Sequence, residues 1–176
     1  CNNLPGLKAT CDSVSAQNKW DYEWIVIDGA SDDRSKDFLK STKATWISEP
    51  DGGIYDAMNK GIDRANGEYL LFLNAGDKLA SSETLEQISA AIERQDNLPD
   101  FIYGDAIEDG HTKAAHSHSK LARGMFTHHQ AMLYRRARIG ELRYNTSYKI
   151  ASDYDFTCRF LLKNQNVLYL PLPVCV

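Results

Sequence analysis

A short apolar segment that ends in a single acid constrains the fold of this chain more than any other feature. Tyr69 to Leu73 is a continuous apolar run, and the polar tail after it ends in Asp77. A run of this length between turn residues is typical of a strand buried on both faces. Ligands of open α/β sheets bind beyond the carboxyl ends of strands, so Asp77 is placed where a ligand would lie. The alternative is that Asn74 and Asp77 only shape the turn before the next helix.

The same arrangement recurs along the 176 residues and indicates one α/β domain. Apolar runs at 24–27 and 101–103 are also followed by acids, and segments with helical spacing lie between the runs. Alternating strands and helices predict a largely parallel sheet flanked by helices. We expect further strands at 45–48, 131–134 and 166–170, helices at 4–14, 54–65 and from 81 and 152 onward, and a mobile loop at 108–124.

Composition and charge argue against several classes of protein. The formal charge is −4 and the charges are interspersed, which does not suit a nucleic-acid binder. No apolar run approaches the ~20 residues of a membrane span. The cysteines at 1, 11, 158 and 175 lack C-x-x-C spacing, so we expect reduced thiols in a cytosolic protein. The histidines at 111, 116 and 118 have irregular spacing and are expected to be solvated rather than to bind metal.

Three acids follow predicted strands and are expected to converge. Asp28, Asp77 and Asp105 each end an apolar run, and parallel strands share one carboxyl edge. Like charges gathered at one edge repel unless a cation or ligand compensates them. A hard divalent cation would suit such carboxylates and could hold a diphosphate. The alternative is that these acids cap helices, and Asp105 in particular is open to a purely structural role.

Several segments, in one order, resemble family 2 glycosyltransferases. Residues 24–35 resemble the nucleotide-binding turn of that family, and 67–77 resemble its strand and acidic metal-binding motif. Residues 129–130 and 148–156 resemble the acceptor-side segments, and 48–62 resemble a segment of members that build bacterial exopolysaccharides, with colanic-acid-type enzymes as the nearest likeness. The resemblance implies a GT-A-like nucleotide-diphosphosugar transferase fold with a mostly parallel central sheet flanked by helices.

The resemblance also implies roles for individual residues. Asp77 would bind Mg²⁺ or Mn²⁺ on the donor diphosphate. Asp153 would be the general base that takes the proton of the acceptor hydroxyl in an inverting displacement. Asp28 would contact the nucleoside and Ser31 would shape its turn. Other residues expected at the donor are Asp51, Asn59 and Asn74, and those expected on the acceptor or phosphate side are His129 and Gln130.

Three departures from the family pattern qualify these roles. Asn74 and Gly76 stand where acids are often found, which predicts weaker metal affinity. Ser152 replaces the first acid of the pair that contains the base. The first strand of the fold is expected to be missing, so residues 1–176 would form a single domain that is truncated at the N-terminus and open to truncation at the C-terminus.

These features together predict metal-dependent, inverting transfer of a sugar from a nucleotide-diphosphosugar donor. The acceptor would be a saccharide or lipid-linked saccharide in bacterial surface polysaccharide biosynthesis, in the cytoplasm or at the inner face of the membrane, where peripheral association is an option. The alternative is a non-catalytic nucleotide- or sugar-binding relic of the same fold, because the acidic motif has one carboxylate. A dinucleotide-dependent oxidoreductase is disfavoured, since no G-x-G-x-x-G follows any predicted strand.

Overall fold

The computed structural model describes residues 2–19 and 21–176, which form an α/β fold. The helices of this part of the chain are α1 (Leu4–Ser15), α2 (Ser35–Leu39), α3 (Ile54–Arg64), α4 (Thr84–Glu93), α5 (Arg136–Ile139) and α6 (Ser152–Leu161). The strands are β1 (Ile25–Asp28), β2 (Thr45–Ser48), β3 (Tyr69–Leu71), β4 (Phe101–Glu108), β5 (His111–Lys113), β6 (Met132–Arg135) and β7 (Val167–Cys175). Short 3₁₀ turns lie at His118–Arg123 and His129–Ala131.

The strands are arranged in two sheets. β1 pairs in parallel with β2, and the larger sheet places β6 between β3 and β4, with β7 on the other side of β4. β6 is antiparallel to both its neighbours and β7 is parallel to β4, so β3, β4 and β7 point the same way. The predicted α/β fold with a helix-flanked sheet is confirmed, but the larger sheet is mixed rather than mostly parallel. The cause is the connection from β4 to β6, which contains a hairpin and 3₁₀ turns instead of a helical crossover.

Residues 108–124 do not form the loop that we expected. Asp109 and Gly110 both have positive φ, 52° and 76°, as in the tight turns that Asp-Gly forms in two-residue hairpins. This turn pairs β5 with the end of β4 in antiparallel register. The expectation was wrong because a largely polar segment can still pair as a hairpin, and the Asp-Gly pair is the local signal for one.

The hydrophobic core lies on both faces of the larger sheet. On one face, Phe156 and Phe160 of α6 pack against Phe101 and Tyr134, and all four side chains are almost fully buried. On the other face, Ile88 of α4 belongs to a second cluster with residues of β4, β6 and β7. Full burial of such a side chain contributes roughly 1.5–3 kcal/mol. The four-residue spacing of the two phenylalanines puts both on one side of α6 and so fixes how the start of that helix faces the sheet.

A cavity of about 1160 Å³ lies between β1 and β3 and separates the two sheets. The consecutive residues 24–28 and 69–73 all line this cavity. Because successive side chains point to opposite faces of a sheet, each strand borders the cavity along its edge. Within the described residues each of these strands pairs on one side only, and β3 is shorter and less buried than expected. Because neighbouring strands lie ~4.8 Å apart, one more strand in this cavity would join the sheets. A first strand of the fold at this position stays a prediction.

Two smaller features concern the cysteines and membranes. The described cysteines, Cys11, Cys158 and Cys175, are free thiols, and Cys1 lies outside the described residues. Burial raises the pKa of both Cys11 and Cys175 to about 11, with nearby Asp12 and Asp77 adding to the effect. Among the helices described, none has the length and apolar character needed to cross a bilayer.

Candidate active site

The turn after β1 holds a buried carboxylate. Asp28 is 7% exposed and accepts hydrogen bonds from the backbone N–H and hydroxyl of Ser31 and from the hydroxyl of Ser48. Burial acts to raise the pKa of Asp28, but the hydrogen bonds from Ser31 and Ser48 outweigh it and leave the pKa below its ordinary value. Asp28 therefore stays ionised and organises the turn by accepting these hydrogen bonds.

Asp51 lies against the same turn. Its Oδ1 accepts a hydrogen bond of 2.9 Å from the N–H of Gly53, and its Oδ2 would be 2.4 Å from a Cβ built on Gly29. The carboxylate therefore occupies the space that a side chain at position 29 would need. This close approach puts Asp51 beside Asp28 at the carboxyl end of β1, where the resemblance places the nucleoside.

Residues at the start of α1 connect this turn to the turn after β3. The N–H of Asn2 donates to the Ser31 hydroxyl over 2.9 Å, and its Oδ1 accepts from the N–H of Asp32. Asn3 donates from Nδ2 to the carbonyl of Ala75 over 2.9 Å. The two carboxyl ends that flank the cavity are thus tied together by polar contacts.

The turn after β3 presents Asp77. Its Oδ2 accepts a hydrogen bond of 2.7 Å from the N–H of Asn74, and its own N–H donates to the Asn74 carbonyl. Thr10 of α1 donates to the same carbonyl and accepts from the N–H of Gly76, which has φ +119°. The turn is therefore rigid, and the second carboxylate oxygen of Asp77 carries no hydrogen bond within the described residues.

The side chains of Asn74 and His129 connect this turn to Asp153. Nδ2 of Asn74 is 3.1 Å from Nε2 of His129, and Nδ1 of His129 is 3.7 Å from Oδ2 of Asp153. His129 and Asp153 are 20% and 23% exposed. Burial lowers the pKa of His129 below its ordinary value, although Asp153 and Asp77 act in the opposite direction. The ring is thus favoured in its neutral form between the two acidic segments.

Asp153 lies in the first turn of α6, next to a stack of aromatic side chains. Tyr55 donates from its hydroxyl to Oδ1 of Asp153 over 3.4 Å. The Tyr55 ring stacks on Tyr144 at 5.7 Å between centroids, and Tyr144 stacks on Phe156 at 4.2 Å. Ala151, directly before α6, has a left-handed φ of 67°. Burial of Tyr55, together with the charge of Asp153, raises the pKa of this phenol, so Tyr55 is a neutral donor.

Two residues that the sequence suggested for the site, Asn59 and Asp105, have other roles in the structure. Asn59 uses both ends of its amide on the backbone of Tyr144, at 2.9 and 2.8 Å, so it holds that segment to α3 and we drop it from the donor site. Asp105 lies inside β4 because the strand continues past it, and it accepts from Tyr169 and from the N–H of Ala115. Its role is structural, which was one of the two options.

Sequence reasoning missed the residues that connect the predicted ones. Tyr55, Thr10 and Asn3 contact residues 64 to 98 positions away, and Asn2 contacts residues 29 and 30 positions away. A local signal exists for Asn3 alone, which caps α1 by accepting from the N–H of Gly6. Gln130 follows His129 in its 3₁₀ turn, and no hydrogen bond of its side chain is found in the described structure.

The described residues offer one carboxylate that could hold a metal, Asp77, and no complete set of protein ligands. Among the described residues, no group of three or more histidine, cysteine or acidic side chains could hold a metal ion. Mg²⁺ commonly takes only one or two carboxylates and completes its shell with phosphates and water. Asp77, with a free oxygen on a rigid turn, fits that mode of binding. It would bind a cation together with a phosphate ligand, and only weakly without one.

Comparison with known proteins bears on both sequence family and fold. The model of the family described as glycosyl transferase family 2 matches residues 1–164. A PGL/p-HBAD biosynthesis glycosyltransferase of Mycobacterium bovis is 34% identical over 163 residues, 87% of this chain. The chain spans only 63% of that relative's length.

Solved structures share the fold at low sequence identity. S. aureus TarS 1-349 in complex with UDP-GlcNAc has a TM-score of 0.80 at 18% identity, over 96% of this chain and 53% of that one. The mannosyltransferase PcManGT of Pyrobaculum calidifontis, in complex with GDP-Man and Mn²⁺, has a TM-score of 0.75 at 17% identity, over 99% and 53% of the two chains.

Proposed function

Because the chain belongs to glycosyl transferase family 2 and has a GT-A fold, we propose that it transfers a sugar from a nucleotide-diphosphosugar to a hydroxyl group, with inversion. One observation carries this proposal: Asn74 and His129 join the turn of Asp77 to Asp153. A carboxylate suited to the donor diphosphate and one suited to the acceptor hydroxyl therefore share one edge, as a single displacement requires. We also propose that residues 1–176 act as one domain.

On the donor side, the proposal assigns the nucleoside to the turn after β1 and the diphosphate to the turn after β3. Asp51 and the surroundings of Asp28 and Ser31 would contact the nucleoside, and Asp77 would hold Mg²⁺ or Mn²⁺. Such a cation offsets the charge that develops on the leaving diphosphate. Support comes from the relatives of similar fold, one of which contains UDP-GlcNAc and another GDP-Man with Mn²⁺.

On the acceptor side, Asp153 would take the proton of the attacking hydroxyl. The hydroxyl oxygen forms a bond to the anomeric carbon while the bond from that carbon to the diphosphate oxygen breaks, and the electron pair leaves with the diphosphate. The proton ends on the Asp153 carboxylate, and attack from the opposite face inverts the configuration. General-base assistance of this kind contributes about 10²–10⁴ in rate.

The finer assignment of acceptor and location follows the resemblance of residues 48–62. We propose a saccharide or lipid-linked saccharide acceptor in bacterial surface polysaccharide biosynthesis, reached from the cytoplasmic side of the membrane. A screen of purified protein against UDP- and GDP-sugars, with release of nucleoside diphosphate as the readout, would identify the donor.

Calorimetry with UDP and GDP, with and without Mn²⁺, tests the donor side. Metal-dependent binding that Asp77→Asn abolishes supports the proposal. Asp96→Asn is the matched control, because Asp96 is an exposed acid in the turn after α4. Nucleotide binding that needs no metal and survives Asp77→Asn would instead favour the non-catalytic relic.

The Asp153→Asn variant tests the acceptor side. It should keep donor binding and lose at least about 10²-fold in transfer, since it retains the shape and removes the base. Transfer at a near-native rate would show that Asp153 is not the base. Loss of both donor binding and transfer would indicate that the Asp153→Asn variant is misfolded, and Asp96→Asn is the control for this outcome.

A further inference from the structure

His129 is held between two segments that are far apart in sequence, and each of its ring nitrogens faces a different group. Nε2 faces the amide nitrogen of Asn74 at 3.1 Å, and Nδ1 faces Oδ2 of Asp153 at 3.7 Å. A neutral imidazole has one N–H and one lone pair, so the partner of one nitrogen decides which atom carries the proton. The group that Asn74 presents to Nε2 therefore determines whether Nδ1 faces Asp153 with a proton or with a lone pair.

An amide N–H₂ can only donate, so Nε2 of His129 must accept and the ring proton must lie on Nδ1. The reversed amide would accept from Nε2–H and leave the Nδ1 lone pair facing the Asp153 carboxylate, which is electrostatically unfavourable. The orientation with the amide donating gives Nε2 its hydrogen bond and turns the Nδ1–H toward the Asp153 carboxylate. The low pKa that burial gives His129 agrees with a neutral ring, although Asp153 and Asp77 oppose that effect and His128 adds to it.

Asn74 is itself fixed by its main chain. Its N–H donates to Asp77, and its carbonyl accepts from Thr10 and from the N–H of Asp77. The direction of its amide is therefore set by the same turn that presents Asp77. An aspartate in the same place would accept rather than donate, and it would reverse the proton on His129.

We propose that Asn74 and His129 are positioning residues for the base: Asn74 selects the Nδ1–H tautomer of His129, and that N–H orients Oδ2 of Asp153 toward the acceptor. This inference rests on the proposed function for the role of Asp153. It replaces the donor contact that the sequence suggested for Asn74 with a contact to His129. The present 3.7 Å exceeds a hydrogen bond, and catalytic contacts are often long without ligands and tighten in the reacting complex.

The tautomer is measurable without any substrate. Long-range ¹H–¹⁵N correlation spectra of uniformly labelled protein at about pH 8, above the ordinary histidine pKa of ~6.5, distinguish the two neutral forms. The chain has five histidines, and the signal absent in His129→Asn identifies His129. The expected result is an Nδ1–H ring in the native protein and a changed pattern in Asn74→Asp. An Nε2–H ring in the native protein would overturn the proposal.

A double-mutant cycle tests whether Asn74 acts through His129. Asn74→Leu keeps the shape and removes the donor, and we expect kcat to fall about tenfold with the donor KM changed less than about twofold. His129→Asn places an amide nitrogen near Nδ1 and has no tautomer to select. In that background Asn74→Leu should change kcat by less than about twofold.

The outcomes separate this inference from the proposed function. If Asn74→Leu lowers kcat equally in both backgrounds, Asn74 acts elsewhere, for example on the metal, and the inference is wrong. If it raises the donor KM instead, Asn74 contacts the donor and the inference is also wrong. If no donor is turned over by the native protein, the proposed function fails, and the tautomer spectrum still decides the placement of the proton.

Discussion

Replacing Thr157 by valine tests the buried polar chain beneath the proposed base. The Tyr134 hydroxyl is 2.7 Å from Oγ of Thr157, which in turn donates to the carbonyl of Asp153 over 2.7 Å. Thr157 is 0% exposed and Tyr134 2%. Burial raises the pKa of Tyr134 far above its ordinary value, so the phenol stays neutral and needs a partner for its O–H. Its alternative is the sulfur of Met132 at 3.5 Å.

The expected loss follows from this arrangement. Valine has nearly the same shape as threonine, so no cavity forms, but a fully buried hydroxyl loses its partner. Such a group costs about 1–3 kcal/mol of the free energy of unfolding. For a chain of this size, 1 kcal/mol corresponds to roughly 2–4 °C in Tm, so Tm should fall by about 2–12 °C. Thr157→Ser, which keeps the hydroxyl and loses one methyl, should cost only about 0.8 kcal/mol.

Urea unfolding followed by circular dichroism measures these differences. Adding Tyr134→Phe to Thr157→Val removes the unpaired hydroxyl, so the double variant should be more stable than the sum of the two single losses predicts, by about 1 kcal/mol. Strict additivity of the two losses, or a Thr157→Val protein as stable as the native one, would refute the reasoning.

Further predictions concern the turn after β1 and the core side of α3. Gly29→Ala should raise the donor KM about tenfold with little change in Tm, because its Cβ would displace the Asp51 carboxylate that lies 2.4 Å away. The pKa of Asp28 is lowered from 3.8, so its stabilising effect is complete above that pH and is lost as the pH falls through the lower folded value. Ser48→Ala should therefore weaken the loss of stability seen in acid titrations below about pH 4. Asn59→Ala should cost about 1–3 kcal/mol in urea unfolding, since it leaves backbone groups unpaired, and should leave donor binding unchanged.

The strands and their acids were predictable because they depend on local patterns. An apolar run followed by an acid located Asp28 at the end of β1 and Asp77 in the turn after β3, and the spacing within 54–65 located α3. The same reasoning failed at Asp105, because a strand can continue through an acid when another element supplies hydrogen bonds. Tyr169, 64 positions away, supplies one of them.

The contacts that assemble the site depend on residues distant in sequence. Asn74 and His129 are 55 positions apart, and Tyr55 and Asp153 are 98 apart. No periodicity predicts which amide faces which ring, because that depends on how β6 inserts between β3 and β4. The expectation of a mostly parallel sheet was also wrong, since a polar hairpin replaced the helix that a parallel crossover would need. The sequence thus identified individual acids, but it did not predict the contacts that connect them.

The cavity between β1 and β3 separates two parts of the molecule that should differ in their free energy of local opening. No ladder of backbone hydrogen bonds crosses it in the described structure. The pair β1–β2 is held by the packing of α3 against β1 and by the polar contacts of Asn2 and Asn3. Amide protons of β1 should then exchange with solvent through a local opening of lower free energy than those of β4 and β6. The turn after β1, to which we assign the nucleoside in our proposal, would then open more readily than the core of the larger sheet.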